Sequence, residues 1–230
     1  MNELILFISI GVAFGSVLLS NKLFGKNGLI AWVAMASIFA NILTAKNAQA
    51  FGVSFTIGTA YFASTFLATD VLTELYGAKA AKKAVYVGAF ATVSLIIAEQ
   101  IGLWFIPTAF DTADGPMRSL FTLSLRVSIA SAAMYFIANL ADVWLYEKIR
   151  EKTNGKAMWL RNNISTILCN CLENFLFMFA AFYGIFEVKN ILQMAIATSI
   201  IEIIAGLCDT PFLYIAKTTG QKKLTSDCDD

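Results

Sequence analysis

Seven long apolar runs dominate the chain, and their length restricts the fold more than any other feature of the sequence. An α-helix rises about 1.5 Å per residue, so roughly 20 apolar residues cross the hydrocarbon core of a bilayer. With 58% hydrophobic and only 14% charged residues, the chain is far more apolar than a soluble domain. The runs lie near residues 4–20, 29–45, 51–75, 84–106, 119–146, 163–186 and 190–216.

These runs predict an all-α fold, a polytopic membrane bundle of six to seven transmembrane helices. The number is six to seven because the first run, residues 4–20, is only about long enough to span. Its N-terminal flank has no positive charge, so we interpret it as a membrane helix rather than a secretory signal peptide. We expect a single transmembrane transport domain over residues 1–217 and a short cytoplasmic tail over residues 218–230.

The basic residues predict the orientation of this bundle. Thirteen of the 17 lie in the connections after the first, third, fifth and seventh runs, and three lie on the opposite side. Loops rich in Lys and Arg remain in the cytoplasm. The sequence therefore predicts a multi-pass protein of the cytoplasmic (inner) membrane, with the lipid bilayer as a partner. Its C-terminus is expected in the cytoplasm and its N-terminus outside.

Charged side chains within or at the edges of the apolar runs point to transport. Such a side chain costs roughly 2.5–3.5 kcal/mol at the centre of a membrane helix on insertion scales, so it normally faces the bundle interior and marks a pathway or site. The chain has seven acidic residues and one arginine of this kind, namely Asp70, Glu74, Glu99, Arg126, Asp142, Glu173, Glu202 and Asp209.

The sixth run carries the polar face that best suits a ligand, since Thr166, Asn170, Glu173, Asn174 and Phe177 recur at helical spacing. Glu173 is close to the midplane, where transporters usually hold substrate. A carboxylate accepts two parallel N–H bonds and an amide supplies a donor and an acceptor. Glu173 and Asn170 therefore fit the edge of a small planar nitrogen heterocycle, on which Phe177 could stack. The alternatives are a polar seam between helices and a proton site.

Two further acidic residues, Glu202 and Glu99, and one basic residue, Arg126, extend this prediction. Glu202 also lies near the midplane, where it could face Glu173 and permit proton coupling. Glu99 and Arg126 each lie seven residues from the outer end of a run, about 10 Å deep, so we predict that they face each other. The pair would be either a structural clamp or an outer gate.

Four acidic residues, Asp70, Glu74, Asp142 and Asp209, lie towards the cytoplasmic ends of their runs. They either pair with the basic residues on that side or organise and gate the inner end of the pathway. Pro211 follows closely after Asp209 and should kink or end its helix. Such a break frees polar backbone groups to line a cavity.

Other function classes are not favoured by the sequence. The chain has no histidine, no C-x-x-C pair, and no nucleotide-binding or hydrolase motif in a suitable context. We therefore expect a protein that is not an enzyme, with no catalytic residue, no cofactor, no metal site and no nucleic-acid partner. Gly11 and Gly15 form a G-x-x-x-G pair, which either packs a homodimer or has arisen by chance.

Three blocks of the sequence resemble the queuosine precursor transporters, also called the vitamin uptake transporter family. The blocks are Asp70–Gly77 with the basic residues after it, Arg161–Thr166 continuing into the face of Glu173, and Asp209–Tyr214. The resemblance covers about residues 40–216. The three blocks together are specific, although each alone is not.

The resemblance implies uptake of a 7-deazaguanine for salvage into the modified tRNA nucleoside queuosine, by a secondary, alternating-access carrier without an ATPase. Where relatives commonly have Gln and Asp on the sixth run, this chain has Asn170 and Glu173. This difference leaves the ligand open among the cyano precursor preQ0, the aminomethyl precursor preQ1 and the finished base queuine. The alternative is a substrate-binding, S-component-like subunit of an energy-coupling-factor importer.

Overall fold

The structure of the chain, a computed structural model, describes residues 1–121 and 125–226; within these ranges the side chains of residues 53, 54, 125, 126, 128 and 220–226 are not described. The described residues form seven helices and one β-hairpin. In chain order they are α1 (Asn2–Leu43), β1 (Asn47–Ala50), β2 (Val53–Thr56), α2 (Thr59–Tyr76), α3 (Ala78–Trp104), α4 (Asp114–Phe121), α5 (Leu125–Lys152), α6 (Met158–Phe182) and α7 (Val188–Ser226).

Five of the described helices, α1, α3, α5, α6 and α7, are long and apolar enough to cross a membrane. The prediction of an all-α membrane bundle is therefore confirmed. Large apolar side chains remain exposed along the outer faces of these helices, as with Phe90, which is 74% exposed. Lipid tails can cover such faces without any loss of hydrogen bonds, because the backbone groups in the interior of a helix are satisfied within that helix.

The first two apolar runs form the two halves of α1, which is broken at Gly25. This residue has φ 57° and ψ −137°, a backbone conformation that essentially only glycine adopts. After the break the second half of α1 runs back, so the strand that follows it lies at the same end of the bundle as the N-terminus. There Asn2 Nδ2 donates a hydrogen bond to the Gln49 carbonyl oxygen at 2.8 Å. A Cβ atom on either Gly11 or Gly15 would meet no other atom within 4 Å, so homodimerisation through this pair stays a prediction.

Helix α2 lies at the centre of the bundle, packed against α1, α3, α5 and α7. Small residues along α2 let these neighbours approach closely. Their hydroxyl groups are satisfied within the helix, as where Thr69 Oγ1 donates to the Phe66 carbonyl oxygen at 2.8 Å. The most buried helix thus carries two of the predicted acidic residues, Asp70 and Glu74.

Three boundaries differ from the sequence prediction. The start of the third run forms the turn and the second strand of the β1–β2 hairpin, because Phe51 and Gly52 both have positive φ angles, as a tight two-residue hairpin turn requires. The fifth run is divided between α4 and α5, on either side of residues 122–124. Helix α7 continues through Pro211 to Ser226, so the expected tail begins as helix. Placing that tail in the cytoplasm stays a prediction, as does the single transport domain.

Candidate functional site

Two connected cavities open into the bundle at the end that carries the hairpin and the N-terminus. The deeper one, which we call the floor chamber, has a volume of about 120 Å³. The wider one, which we call the vestibule, has a volume of about 740 Å³ and reaches the hairpin at Asn47, Gly52 and Phe55. The two share lining residues, among them Asn41, Thr44, Ser131, Phe177, Met178 and Thr198.

Two carboxylates meet at the floor chamber, Glu173 from α6 and Glu202 from α7. Glu202 is 4% exposed, and its Oε2 accepts a hydrogen bond from Asn174 Nδ2 at 2.6 Å. Glu173 receives no hydrogen bond and forms no ion pair within the part of the chain that the structure describes. Its oxygens are therefore available to N–H groups of a ligand.

Of the five residues of α6 that were predicted to bind the ligand, three line the cavity and two are buried below it. Glu173, Asn174 and Phe177 line the floor chamber, whereas Asn170 and Thr166 lie beneath it among buried side chains. The reason is the helical rise, because Asn170 is three residues and about 4.5 Å deeper than Glu173 on the same face. The sequence predicted that Asn170 and Glu173 would bind the ligand together. In the structure Asn170 lies below the cavity and does not line it beside Glu173.

Residues of α1 and α5 contribute a polar wall to the floor chamber, and this wall was not predicted from the sequence. Ser37 Oγ lies 2.9 Å from Tyr135 Oη, and both side chains line the floor chamber. Ser37 and Asn41 on α1 and Thr44, the residue that caps its C-terminus, follow one another at helical spacing and continue this wall into the vestibule. Their periodicity was a usable signal, but uncharged polar residues are common in membrane helices and do not stand out as acidic ones do.

Glu99 lines the vestibule from α3 and has no hydrogen bond or ion pair with a described residue. The side chain of Arg126, its predicted partner, lies outside the residues that the structure describes. Their pairing as a clamp or outer gate therefore stays a prediction.

At the opposite end of the bundle, the carboxylate of Glu74 is in close contact with three side chains, those of Arg161, Tyr146 and Lys217. We call these four residues the Glu74 ion cluster. Glu74 Oε2 lies 2.5 Å from Arg161 Nη2 and 3.3 Å from Tyr146 Oη, and Glu74 Oε1 lies 2.6 Å from Lys217 Nζ. Arg150 Nε is more distant, at 4.0 Å. The cluster joins α2, α5, α6 and α7 and closes the bundle at this end.

The other three acidic residues predicted at this end, Asp70, Asp142 and Asp209, behave differently from Glu74. They are 0–1% exposed, come from α2, α5 and α7, and form no ion pair with any described residue. Asn162 Nδ2 donates to Asp209 Oδ1 at 2.5 Å, and Thr166 Oγ1 lies 3.5 Å from Asp70 Oδ2. Among the described side chains, the expected pairing with basic residues is thus seen for Glu74 and for none of these three. We call these three residues the aspartate cluster.

Comparisons with known proteins give a consistent family. Residues 56–216 match the family described as "Putative vitamin uptake transporter". The "Probable queuosine precursor transporter" of Bacillus subtilis (strain 168) is 33% identical over 217 residues, which cover 94% of each chain. The "Queuosine precursor transporter" of Escherichia coli (strain K12) is 25% identical over 143 residues, 62% of each chain. No solved structure matches the chain.

Proposed function

The chain belongs to the vitamin uptake transporter family, and from this premise we propose that it imports a queuosine precursor or salvage base of the 7-deazaguanine type. The family and its relatives are transporters, so the protein is not an enzyme. The resemblance drawn from the sequence is confirmed at the level of the family. The names of the relatives support the substrate class, and the cavity supports the manner of binding.

The free carboxylate of Glu173 is the observation that carries the proposal. A 7-deazaguanine base presents a ring N–H and an amino group side by side, and a carboxylate accepts two such parallel bonds. Asn174 already donates to Glu202, which leaves Glu173 to receive the ligand. Phe177 lies at the junction of the floor chamber and the vestibule, where an aromatic ring can stack on a planar base.

The shape of the cavity favours a base at the floor with its substituent directed outward. The floor chamber, at about 120 Å³, is narrow, and it widens into the vestibule near Glu99. A cyano, aminomethyl or larger group at position 7 would extend into the vestibule. Of these, an aminomethyl group is cationic at neutral pH and would lie in a favourable field near Glu99.

We propose a secondary, alternating-access mechanism in the cytoplasmic membrane. The cavity is open at the hairpin end and closed at the Glu74 end, where most of the basic residues also lie. Under the positive-inside rule, the cavity then faces the outside and the Glu74 ion cluster is the closed inner end. An S-component-like subunit would need partner ATPases, so uptake into liposomes by the purified protein alone distinguishes the two mechanisms.

The test is rescue of a bacterial strain that cannot synthesise queuosine. Each precursor is supplied separately, and the queuosine content of tRNA is measured. Glu173→Gln keeps the size of the side chain but turns one acceptor into a donor that opposes the N–H groups of the base. A hydrogen bond to a charged group contributes about 1.5–3 kcal/mol, so uptake at limiting precursor should fall roughly 10- to 150-fold.

The matched control is Glu187→Gln, the same change at an exposed position between α6 and α7. This variant should rescue like the parent protein. If Glu173→Gln also rescues fully at an equal amount of protein in the membrane, the assignment of Glu173 to the substrate is wrong. If none of the supplied precursors restores queuosine in the strain that carries the parent protein, the proposed substrate class is wrong.

A further inference from the structure

The aspartate cluster contains an excess of hydrogen-bond acceptors. Asp70 Oδ1, both carboxylate oxygens of Asp142, and the amide oxygens of Asn162 and Asn170 are all buried and accept no hydrogen bond in the described part of the chain. Ser165, Thr166 and Asp70 adjoin Asp142, but none makes a hydrogen bond of normal geometry to it. Leaving a buried acceptor unsatisfied is unfavourable, and more so if it is charged. A positive charge or a proton bound among these oxygens would remove this unfavourable energy.

No described basic side chain supplies that charge. Arg161, Lys217 and Arg150 are directed to Glu74, one helical turn from Asp70. The other titratable groups that face the cluster are Tyr146 on α5, Cys169 on α6 and Cys208 on α7, together with Glu74 on α2. None of these is a cation, and the chain has no histidine.

Three ionised carboxylates cannot share a buried site of this kind without compensation. Burial of an isolated ionised carboxylate is so unfavourable that the group normally takes up a proton instead. A bound metal ion is the other form of compensation, but no three acidic or cysteine side chains in the described residues are placed to hold one. Protons satisfy both the charge and the unbonded oxygens, because a protonated carboxyl group donates a hydrogen bond to a neighbouring acceptor.

We propose that the aspartate cluster is a proton-binding site that couples proton entry to substrate import, separate from the carboxylates of the floor chamber. This inference rests on the secondary transport proposed above. A proton taken up from the outside neutralises the cluster, and its release to the cytoplasm restores the charge. The proton is transferred to and from a carboxylate oxygen, and no other bond is formed or broken.

The position of the cluster suits this role, because helix α6 carries both sites. Thr166 contacts Asp70, and Glu173 lies on the same face of α6 about 10 Å away at the floor chamber. The cluster joins α2, α5 and α7 to α6 next to the Glu74 ion cluster, which closes the inner end. A proton binds both conformations of such a carrier with different affinity, so it can shift the balance between them.

The experiment uses purified full-length protein in liposomes with labelled 7-cyano-7-deazaguanine, an uncharged precursor whose own movement carries no proton. Two assays are compared. One measures accumulation driven by a pH gradient, alkaline inside; the other measures exchange against unlabelled precursor without a gradient. With one proton per substrate, a gradient of one pH unit should give about tenfold accumulation, since 1.4 kcal/mol corresponds to a factor of ten.

Asp142→Asn, which retains the size of the side chain, should lose accumulation while it retains exchange. Exchange then shows that the variant folds and binds substrate. Glu151→Gln, an exposed charge on the same helix, should behave like the parent protein. Asp209→Asn provides a second variant, and its Oδ1 can still accept the bond from Asn162.

The outcomes separate the inference from the proposed function. The inference is overturned if Asp142→Asn accumulates substrate like the parent, if only a sodium gradient drives accumulation, or if neither gradient does. It is also overturned if both neutral variants lose exchange, which would indicate a structural role. If the parent protein exchanges none of the 7-deazaguanine precursors, the proposed function itself fails, and this inference fails with it.

Discussion

Glu74→Gln should destabilise the protein strongly, and the structure shows which of its partners accounts for the effect. The side chains of Lys217 and Arg150 are 31% and 40% exposed, so both can turn towards water when the carboxylate is removed. Arg161 is fully buried and cannot. Its two bonds to the carbonyl oxygens of Gly155 and Lys156 do not neutralise its charge.

The expected loss is therefore that of a buried ion pair with one partner removed, about 3–5 kcal/mol. At roughly 2–4 °C per kcal/mol for a chain of this size, the midpoint of thermal unfolding should fall by roughly 6–20 °C. It can be measured in detergent from the fluorescence of the four tryptophans. Glu151→Gln is the matched control for the change of charge and should shift the midpoint by less than about 2 °C.

A double variant tests the cause. Removing both charges, with Glu74→Gln and Arg161→Met together, leaves no buried charge without a counter-ion and should recover much of the lost stability. Two results would refute this explanation. One is an equal midpoint of unfolding for Glu74→Gln and Glu151→Gln. The other is a double variant whose loss of stability equals the sum of the losses in Glu74→Gln and in Arg161→Met measured alone.

Two glycine positions give further predictions. In Gly88→Ala, the new Cβ would collide with Tyr135 Oη, so Tyr135 must move; the substitution should cost about 1–3 kcal/mol of stability and weaken precursor uptake. Gly102→Ala, on the same helix in open space, should leave both unchanged. Gly25→Ala should lose about 1–3 kcal/mol because the kink of α1 needs a conformation that alanine disfavours. Gly15→Ala is the control for Gly25→Ala. Equal midpoints of thermal unfolding for the two variants would contradict the claim that the kink requires glycine at position 25.

The broad architecture was predictable because it depends on one-dimensional properties. The bilayer requires apolar helices of a minimum length, so run length alone predicted the membrane bundle. The cost of a charge in the membrane likewise singled out Glu173, Glu202 and Glu74 before any contact was known. The hairpin was missed because its turn and second strand run without interruption into the apolar residues of α2, and the turn itself depends on two positive φ angles.

What the sequence determined by itself is therefore the membrane bundle, the family and the set of acidic residues that the bundle must accommodate. Only the tertiary structure divided that set. Arg161 is distant from Glu74 along the chain yet bonds to it, while Asp70, one turn away on the same helix, forms no ion pair with any residue whose side chain is described. Asn170 shares the face of Glu173 but lies below the cavity floor. Helical periodicity predicts which residues share a face, but the packing of other helices decides what each residue on that face meets.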